Sequence, residues 1–258
     1  MPDLFLRIAT EAALESGAMI RKSVGRTGKI SYKGRINIVT DVDRRSEDLI
    51  IKKVRKAFPG HSILSEEGPP RIGRSPYRWV IDPLDGTTNF AHSFPFFSVS
   101  VALEEEGDVI LGVVYDPMRE ELFTAVKNEG SFLNKKRISA SRTPALRRSL
   151  LATGFSYGVR EKKETNIENF KNFLMRAQGI RRAGSAALDL CYVACGRFDG
   201  FWELDLRPWD SAAGCLIVRE AKGIVTRFDG TRYSHYDKDV LATNGRIHRA
   251  MVKILKCR

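Results

Sequence analysis

The sequence predicts an α+β first half and an α/β second half joined as one unit, and three features carry that expectation. Strand-like runs at 96–104, 108–116 and 120–126 are separated only by turn residues, the pattern of an antiparallel meander. From about residue 145 strands and helices alternate instead, which favours a mixed sheet with covering helices. No internal repeat, low-complexity segment or long linker divides the two styles. Residues 1–144 and 145–258 are therefore expected to pack together as a single unit over 1–258.

The elements follow in order. Leu4, Ile8, Ala12 and Ile20 share one helical face over 3–24, ending before Gly25. Residues 26–42 are polar, with Lys29, Tyr32, Lys33 and Gly34, and read as a loop or hairpin. A second helix follows Asp43, turns Ile50, Ile51, Val54 and Phe58 inward, and stops at Pro59-Gly60. Ser62 to Ser65 is a short strand delivering Glu66 and Glu67. The apolar run Trp79-Val80-Ile81 leads into Asp82-Pro83-Leu84-Asp85-Gly86-Thr87-Thr88-Asn89-Phe90. After the meander, 130–139 holds a further strand pair. In the second half, 150–153 is a strand and 166–178 a helix with Ile167, Phe170 and Leu174 aligned. A small-residue helix over 185–195, a strand at 199–204, a helix over 208–221 and strands at 223–228 and 239–243 precede a C-terminal helix.

A chain of 258 residues, 43% of them apolar, can bury a substantial core, and no apolar run approaches a membrane span. The first residues do not resemble a secretory signal, so a soluble cytoplasmic protein is expected. Cys191, Cys195, Cys215 and Cys257 show no Cys-x-x-Cys spacing and have only His235 and His248 near them, which argues against zinc and for reduced structural thiols. The formal charge of +12 leaves nucleic acid as a partner. The basic residues are scattered, however, with no aromatic interleaving. Solvated surface, with attraction for anionic substrates, is the favoured reading.

The segment from Asp82 to Phe90 carries the chemistry. Two carboxylates at a strand end, then a Gly-Thr-Thr turn offering backbone N–H groups, suit a hard divalent cation beside a phosphate. Three more acids stand at similar transitions: Asp43 at a strand-to-helix junction, Glu66 after a strand, and Asp210 at a helix start. Each has a plainer reading. Asp43 and Asp210 could cap helices, and Glu66 and Glu67 could be surface charges.

Taken together, the motifs resemble the inositol monophosphatase family of magnesium-dependent, lithium-sensitive phosphatases. Trp79 to Phe90 is similar to its first signature, and Trp209-Asp210-Ser211-Ala212-Ala213-Gly214 leading to Glu220-Ala221-Lys222-Gly223 to its second. Val39-Thr40-Asp41-Val42-Asp43 with Glu47, Leu64-Ser65-Glu66-Glu67, and Arg182-Ala183-Gly184-Ser185-Ala186-Ala187 complete the set in family order. The resemblance implies a layered αβαβα sandwich of the inositol monophosphatase/fructose bisphosphatase type, acting as a homodimer.

It also implies roles. Glu66, Asp82 and the Leu84 carbonyl would hold a first Mg²⁺; Asp82, Asp85 and Asp210 a second; and Glu66 a weaker third. Mn²⁺ would substitute, while Ca²⁺ and Li⁺ would inhibit. Asp43 with Thr87, together with Glu66, would orient the attacking water. Gly86 and Thr87 would meet the phosphate, with Ala183, Gly184, Ser185 and Ala186 as the wall around the substrate. Glu203 and Asp210 would meet the hydroxyls of a phosphorylated polyol or sugar. Two departures stand out. The early loop differs in length, leaving Tyr32 and Lys33 as alternatives for the family's loop lysine, and Lys222 stands where glycine is usual.

The chemistry agrees with the resemblance. A phosphate monoester dianion repels its nucleophile and has a poor leaving group, and paired cations answer both difficulties. Close carboxylates need such cations to stay ionised. The expected reaction is hydrolysis of myo-inositol monophosphate to myo-inositol and phosphate, with fructose-1,6-bisphosphate the rival substrate. A nucleic-acid-associated binding protein is the alternative from another class.

Overall fold

The computed structural model describes residues 2–26, 30–32, 38–161 and 165–256. Its central strands are apolar on both faces, and that decides the layering. In β4 (Tyr77–Asp85) and β5 (Ser98–Glu105), Trp79, Ile81, Val99, Val101 and Leu103 enter one core, while Val80 and Ala102 enter another. A sheet buried on both faces needs helices on both. α1 (Pro2–Ser23) and α2 (Asp41–Ala57) supply the outer cover through Phe5, Ala9, Ala12, Ala13, Ile20, Ile50, Ile51 and Val54. α5 (Ala186–Ala194) and α6 (Pro208–Glu220) supply the inner one.

The first sheet has seven strands in sequence order: β3 (Ser62–Ser65), β4, β5, β6 (Asp108–Asp116), β7 (Glu121–Val126), β8 (Gly130–Leu133) and β9 (Lys136–Arg137). It is antiparallel except that β3 and β4 run parallel, so it is not the purely antiparallel sheet the meander implied. The second has five strands in the order β11 (Gly179–Arg181), β10 (Leu150–Thr153), β12 (Gly200–Leu204), β14 (Asp239–Thr243), β13 (Ile224–Thr226). α4 (Ile167–Leu174) and α7 (His248–Lys256) join its far side in a third core around Trp202, Phe173 and Met251. The result is a layered αβαβα sandwich. A short antiparallel pair, β1 (Ile30–Tyr32) with β2 (Ile38–Thr40), lies where a loop or hairpin was expected.

Several local expectations change. α2 begins at Asp41, because Thr40 caps it and Asp43 is its third residue. In α1, Leu4 is exposed and Phe5 takes the buried place, against the rings of Phe58 and Tyr77. In α4, Ile167 and Leu174 face outward, while the Phe173 ring lies 4.3 Å from that of Trp202 at a tilt of 43°, and Asn166, just before the helix, accepts from the Trp202 indole at 2.8 Å. A buried tryptophan must satisfy its N–H, and meeting that need turns the helix away from its simplest apolar stripe. The sequence reading passed over β11 altogether. Cys191 and Cys215 are buried and Cys195 is half-buried, all three unpaired, and Cys257 lies outside the described residues. No helix among the described residues is long and apolar enough to cross a membrane.

α6 lies directly on β6 because Gly112 has no side chain: a Cβ there would stand 2.8 Å from the Ala213 carbonyl oxygen. Backbone cannot yield as a side chain can. Gly112→Ala is therefore expected to lose about 1–3 kcal/mol of stability. Gly60→Ala, where a Cβ meets open space, should stay within about 0.5 kcal/mol of the parent. Urea unfolding of both variants checks the difference.

Candidate active site

β4 pairs with β5 through a register shift between Asp82 and Asp85. Pro83 falls inside that shift, where a missing N–H is tolerated. The Leu84 N–H turns back to donate to Asp82 Oδ1 at 3.0 Å. Gly86 then adopts φ +94°, with Phe96 O, Phe97 and Gly184 O all within 3.2 Å of where a Cβ would be. Only glycine suits that corner. The chain continues into the short helix α3 (Thr87–Ala91).

Three acids are fastened at helix N-termini. Asp43, third in α2, accepts from Thr40 N at 2.8 Å and Thr40 Oγ1 at 2.5 Å through Oδ2, and from Thr87 Oγ1 at 2.8 Å through Oδ1. Asp210, third in α6, accepts from Arg207 N at 2.6 Å, with Pro208 at the first helical position. Asp85 reaches α5 from outside and accepts from Ser185 Oγ at 2.5 Å and Ala187 N at 2.8 Å. Unsatisfied N–H groups and the helix dipole favour anions at all three places. The capping reading of Asp43 and Asp210 thus holds, and the same bonds aim them at the site.

Glu66 is placed by its neighbours. The buried Glu47 of α2 accepts from Ser65 Oγ and from Glu67 N, both at 2.9 Å, gripping the chain on either side of Glu66. A Cβ on Gly68 would lie 2.5 Å from Glu47 Oε1, so any larger residue there would displace the Glu47 carboxyl. On the opposite wall, Asn89 Nδ2 donates to Phe96 O at 2.7 Å and Ala183 O at 2.8 Å, tying the 183–186 segment to α3.

These elements enclose a cavity of about 370 Å³, within the range of small-molecule sites. Glu66, Asp82, Leu84, Asp85, Gly86, Thr87, Gly184, Ser185, Ala186, Glu203 and Asp210 all line it. Ala183 stands behind this wall, and Asp43 reaches the cavity through Thr87. Lys33 lies outside the described residues, and of Tyr32 only the backbone in β1 is described.

The acids feel one another. Burial first, then the charges of Glu66, Asp85 and Asp210, push Asp82 well above the carboxylate range. Burial and Glu66 do the same to Asp210. Asp85 rises to about 6, burial outweighing its Ser185 and Ala187 bonds. Burial first, with the charge of Asp85, carries Glu203 to about 8, against the pull of Arg182. Among the described residues, no group of three or more His, Cys, Asp or Glu side chains is drawn together closely enough to hold a metal ion. The donor set, carboxylates with the Leu84 carbonyl, is nevertheless the kind that suits a hard divalent cation.

The inositol monophosphatase family model matches residues 1–258. The chain belongs to the inositol monophosphatase family. An inositol-1-monophosphatase of Synechocystis is 45% identical over 254 residues, covering 97% of this chain and 88% of its own. Nus factor SuhB of Escherichia coli is 44% identical over 250 residues, covering 96% and 94%. The structure of an inositol monophosphatase from Anabaena superposes with a TM-score of 0.90 at 42% identity, covering 98% of this chain and 96% of that one. As a member of this metal-dependent family, the protein is a phosphatase, an enzyme of phosphate monoester hydrolysis.

The cavity also holds residues that sequence reasoning passed over: Gly154, Tyr157, Arg160 and Asp189. Arg182 was noted only within a motif. Asp189 had a signal, since it is the lone acid of the apolar helix α5. Tyr157 and Arg160 had none, being loop residues whose neighbours come from elsewhere in the fold.

A pH dependence follows. An acid whose pKa is higher folded than unfolded keeps a proton that the unfolded chain has released, so stability falls as pH rises between the two values. For Glu203 that window runs from about 4.5 to about 8. In chelator, Glu203→Gln should flatten the decline of the unfolding midpoint across this window and exceed the parent above it. An unchanged slope in differential scanning fluorimetry would contradict the assignment.

Proposed function

We propose that the protein is a Mg²⁺-dependent phosphatase of small phosphorylated polyols, with myo-inositol monophosphate as its preferred substrate. One observation carries this reading: Glu66, Asp82, Asp85 and Asp210 share a single cavity with Thr87 and, across it, Glu203. Glu66, Asp82, Asp85, Asp210 and the Leu84 carbonyl would hold the cations. Bound there, they would neutralise the ester dianion, acidify a water and stabilise the leaving oxygen.

The chain's own residues do the rest. Thr87 Oγ1 has one proton, which it directs to Asp43 Oδ1 at 2.8 Å or to Leu84 O at 3.0 Å. Its lone pairs are thereby left to accept from a water aimed at phosphorus. Asp43, braced by the two Thr40 donors, holds Thr87 in that orientation. Backbone N–H groups at Gly86 and Thr87 face the phosphate, and Glu203 accepts from hydroxyls of the alcohol. Water adds its oxygen to phosphorus, the ester P–O bond breaks, and the alcohol leaves with a proton.

Arg160 and Arg182 on the cavity wall favour a second reading, in which the alcohol carries another phosphate, as in fructose-1,6-bisphosphate. The net charge of +12 and the relative named Nus factor SuhB favour a third, an added nucleic-acid-binding role. For that role, specific RNA binding should survive near physiological salt, where non-specific binding fades. The family resemblance further implies a homodimer and inhibition by Li⁺ and Ca²⁺.

Steady-state kinetics test the principal reading. The wild type should prefer inositol 1-phosphate, and a tenfold preference for fructose bisphosphate would transfer the assignment to the second reading. Asp82→Asn should lower kcat by roughly a thousandfold or more while the protein stays folded. Near-normal turnover in that variant would contradict the proposed cation site.

A further inference from the structure

α5 carries one acid, Asp189, among apolar and aromatic residues. Its helix neighbours Leu188, Leu190 and Val193 belong to the core between the two sheets. Asp189 is only 1% exposed, yet it borders the cavity. Its Oδ1 is sealed from solvent and has no hydrogen-bond partner among the described residues. An unpaired polar atom in such a place is costly, and folds seldom keep one without a use.

Helix capping does not explain it. The first turn of α5 is already served by Ser185 Oγ, which accepts from Leu188 N at 3.3 Å, and by Asp85, which accepts from Ala187 N. Glu203 belongs to the same corner. Its carboxyl packs against Gly154, where a Cβ would lie 2.3 Å from both oxygens. The charge of Glu203 acts on Asp189, and Asp85 and Arg182 act on both. Two acids from different elements, α5 and β12, thus border the same cavity.

We propose that Asp189 is a specificity-determining residue that joins Glu203 in a paired carboxyl acceptor for neighbouring hydroxyls on the alcohol portion of the ester. The proposal rests on the polyol-phosphatase reading above and extends it. A carboxyl at the cavity wall with no donor of its own is completed by an O–H group of the bound alcohol. A site built for hydroxyls rejects an analogue lacking them, because its buried acceptors are then left unpaired.

The test compares wild type, Asp189→Ala and Asp189→Asn on inositol 1-phosphate and on phenyl phosphate, whose alcohol has no further hydroxyl. In the alanine variant, kcat/KM for the inositol ester relative to the phenyl ester should fall about tenfold or more, chiefly through KM. The inhibition constant of free myo-inositol should rise in parallel. Asparagine keeps one acceptor oxygen and should fall between. It also removes an unpaired buried acid, so it reports even if the alanine variant folds poorly. Equal losses on both esters, or no change in their ratio, would overturn the role of Asp189. A wild type inactive on both esters would instead overturn the polyol-phosphatase reading, and this proposal with it.

Discussion

Crowding of like charge is the constraint around which the chain is arranged. Asp82, Asp85, Glu203 and Asp210 border one cavity, and burial with mutual repulsion raises them all. Such a cluster persists only where donors are fixed by rigid elements. Asp85 is fastened to α5 and Asp210 to α6, and Asp43 to α2 just behind the cavity. The Asp85 bond matters most for architecture, since it joins the end of the seven-stranded sheet to the helix layer between the sheets. The same bonds that tolerate the charge also hold the sandwich in register.

A second tier of buried polar contacts supports the first. Ser46 Oγ donates to Pro83 O at 2.6 Å and meets Ser16 Oγ at 2.5 Å, linking α1, α2 and the β4 shift. Glu47 spans Glu66, and Asn89 braces the wall at Ala183. These contacts leave the acids little freedom, so their spacing follows from the fold rather than from flexible side chains. Preorganisation of this kind is what phosphoryl chemistry demands, since positioning and electrostatics supply most of its catalysis.

Much of this was legible in the sequence, for identifiable reasons. The strands of the first sheet repeat apolar runs between sharp turns, a local pattern that needs no knowledge of partners. The acids at Asp43, Glu66, Asp82, Asp85 and Asp210 were marked by their places at element ends. Their convergence was not legible, because it depends on three helices meeting at one cavity. Face assignments failed where tertiary contacts overrode the stripe, as when Trp202 drew Phe173 of α4 inward. β11 was missed because three residues carry no periodicity. Asp189 went unread because its place on the cavity wall with Glu203 depends on how α5 packs.

The central claim is that this carboxylate-lined cavity binds the divalent cations. Anomalous diffraction from crystals soaked in Mn²⁺ tests it most directly, since the ion identifies itself without assumptions about substrate. Anomalous peaks should appear inside the cavity, ligated by Glu66, Asp82, Asp85, Asp210 and the Leu84 carbonyl. A saturating soak that leaves the cavity without a peak, or places Mn²⁺ only at other acids, would contradict it.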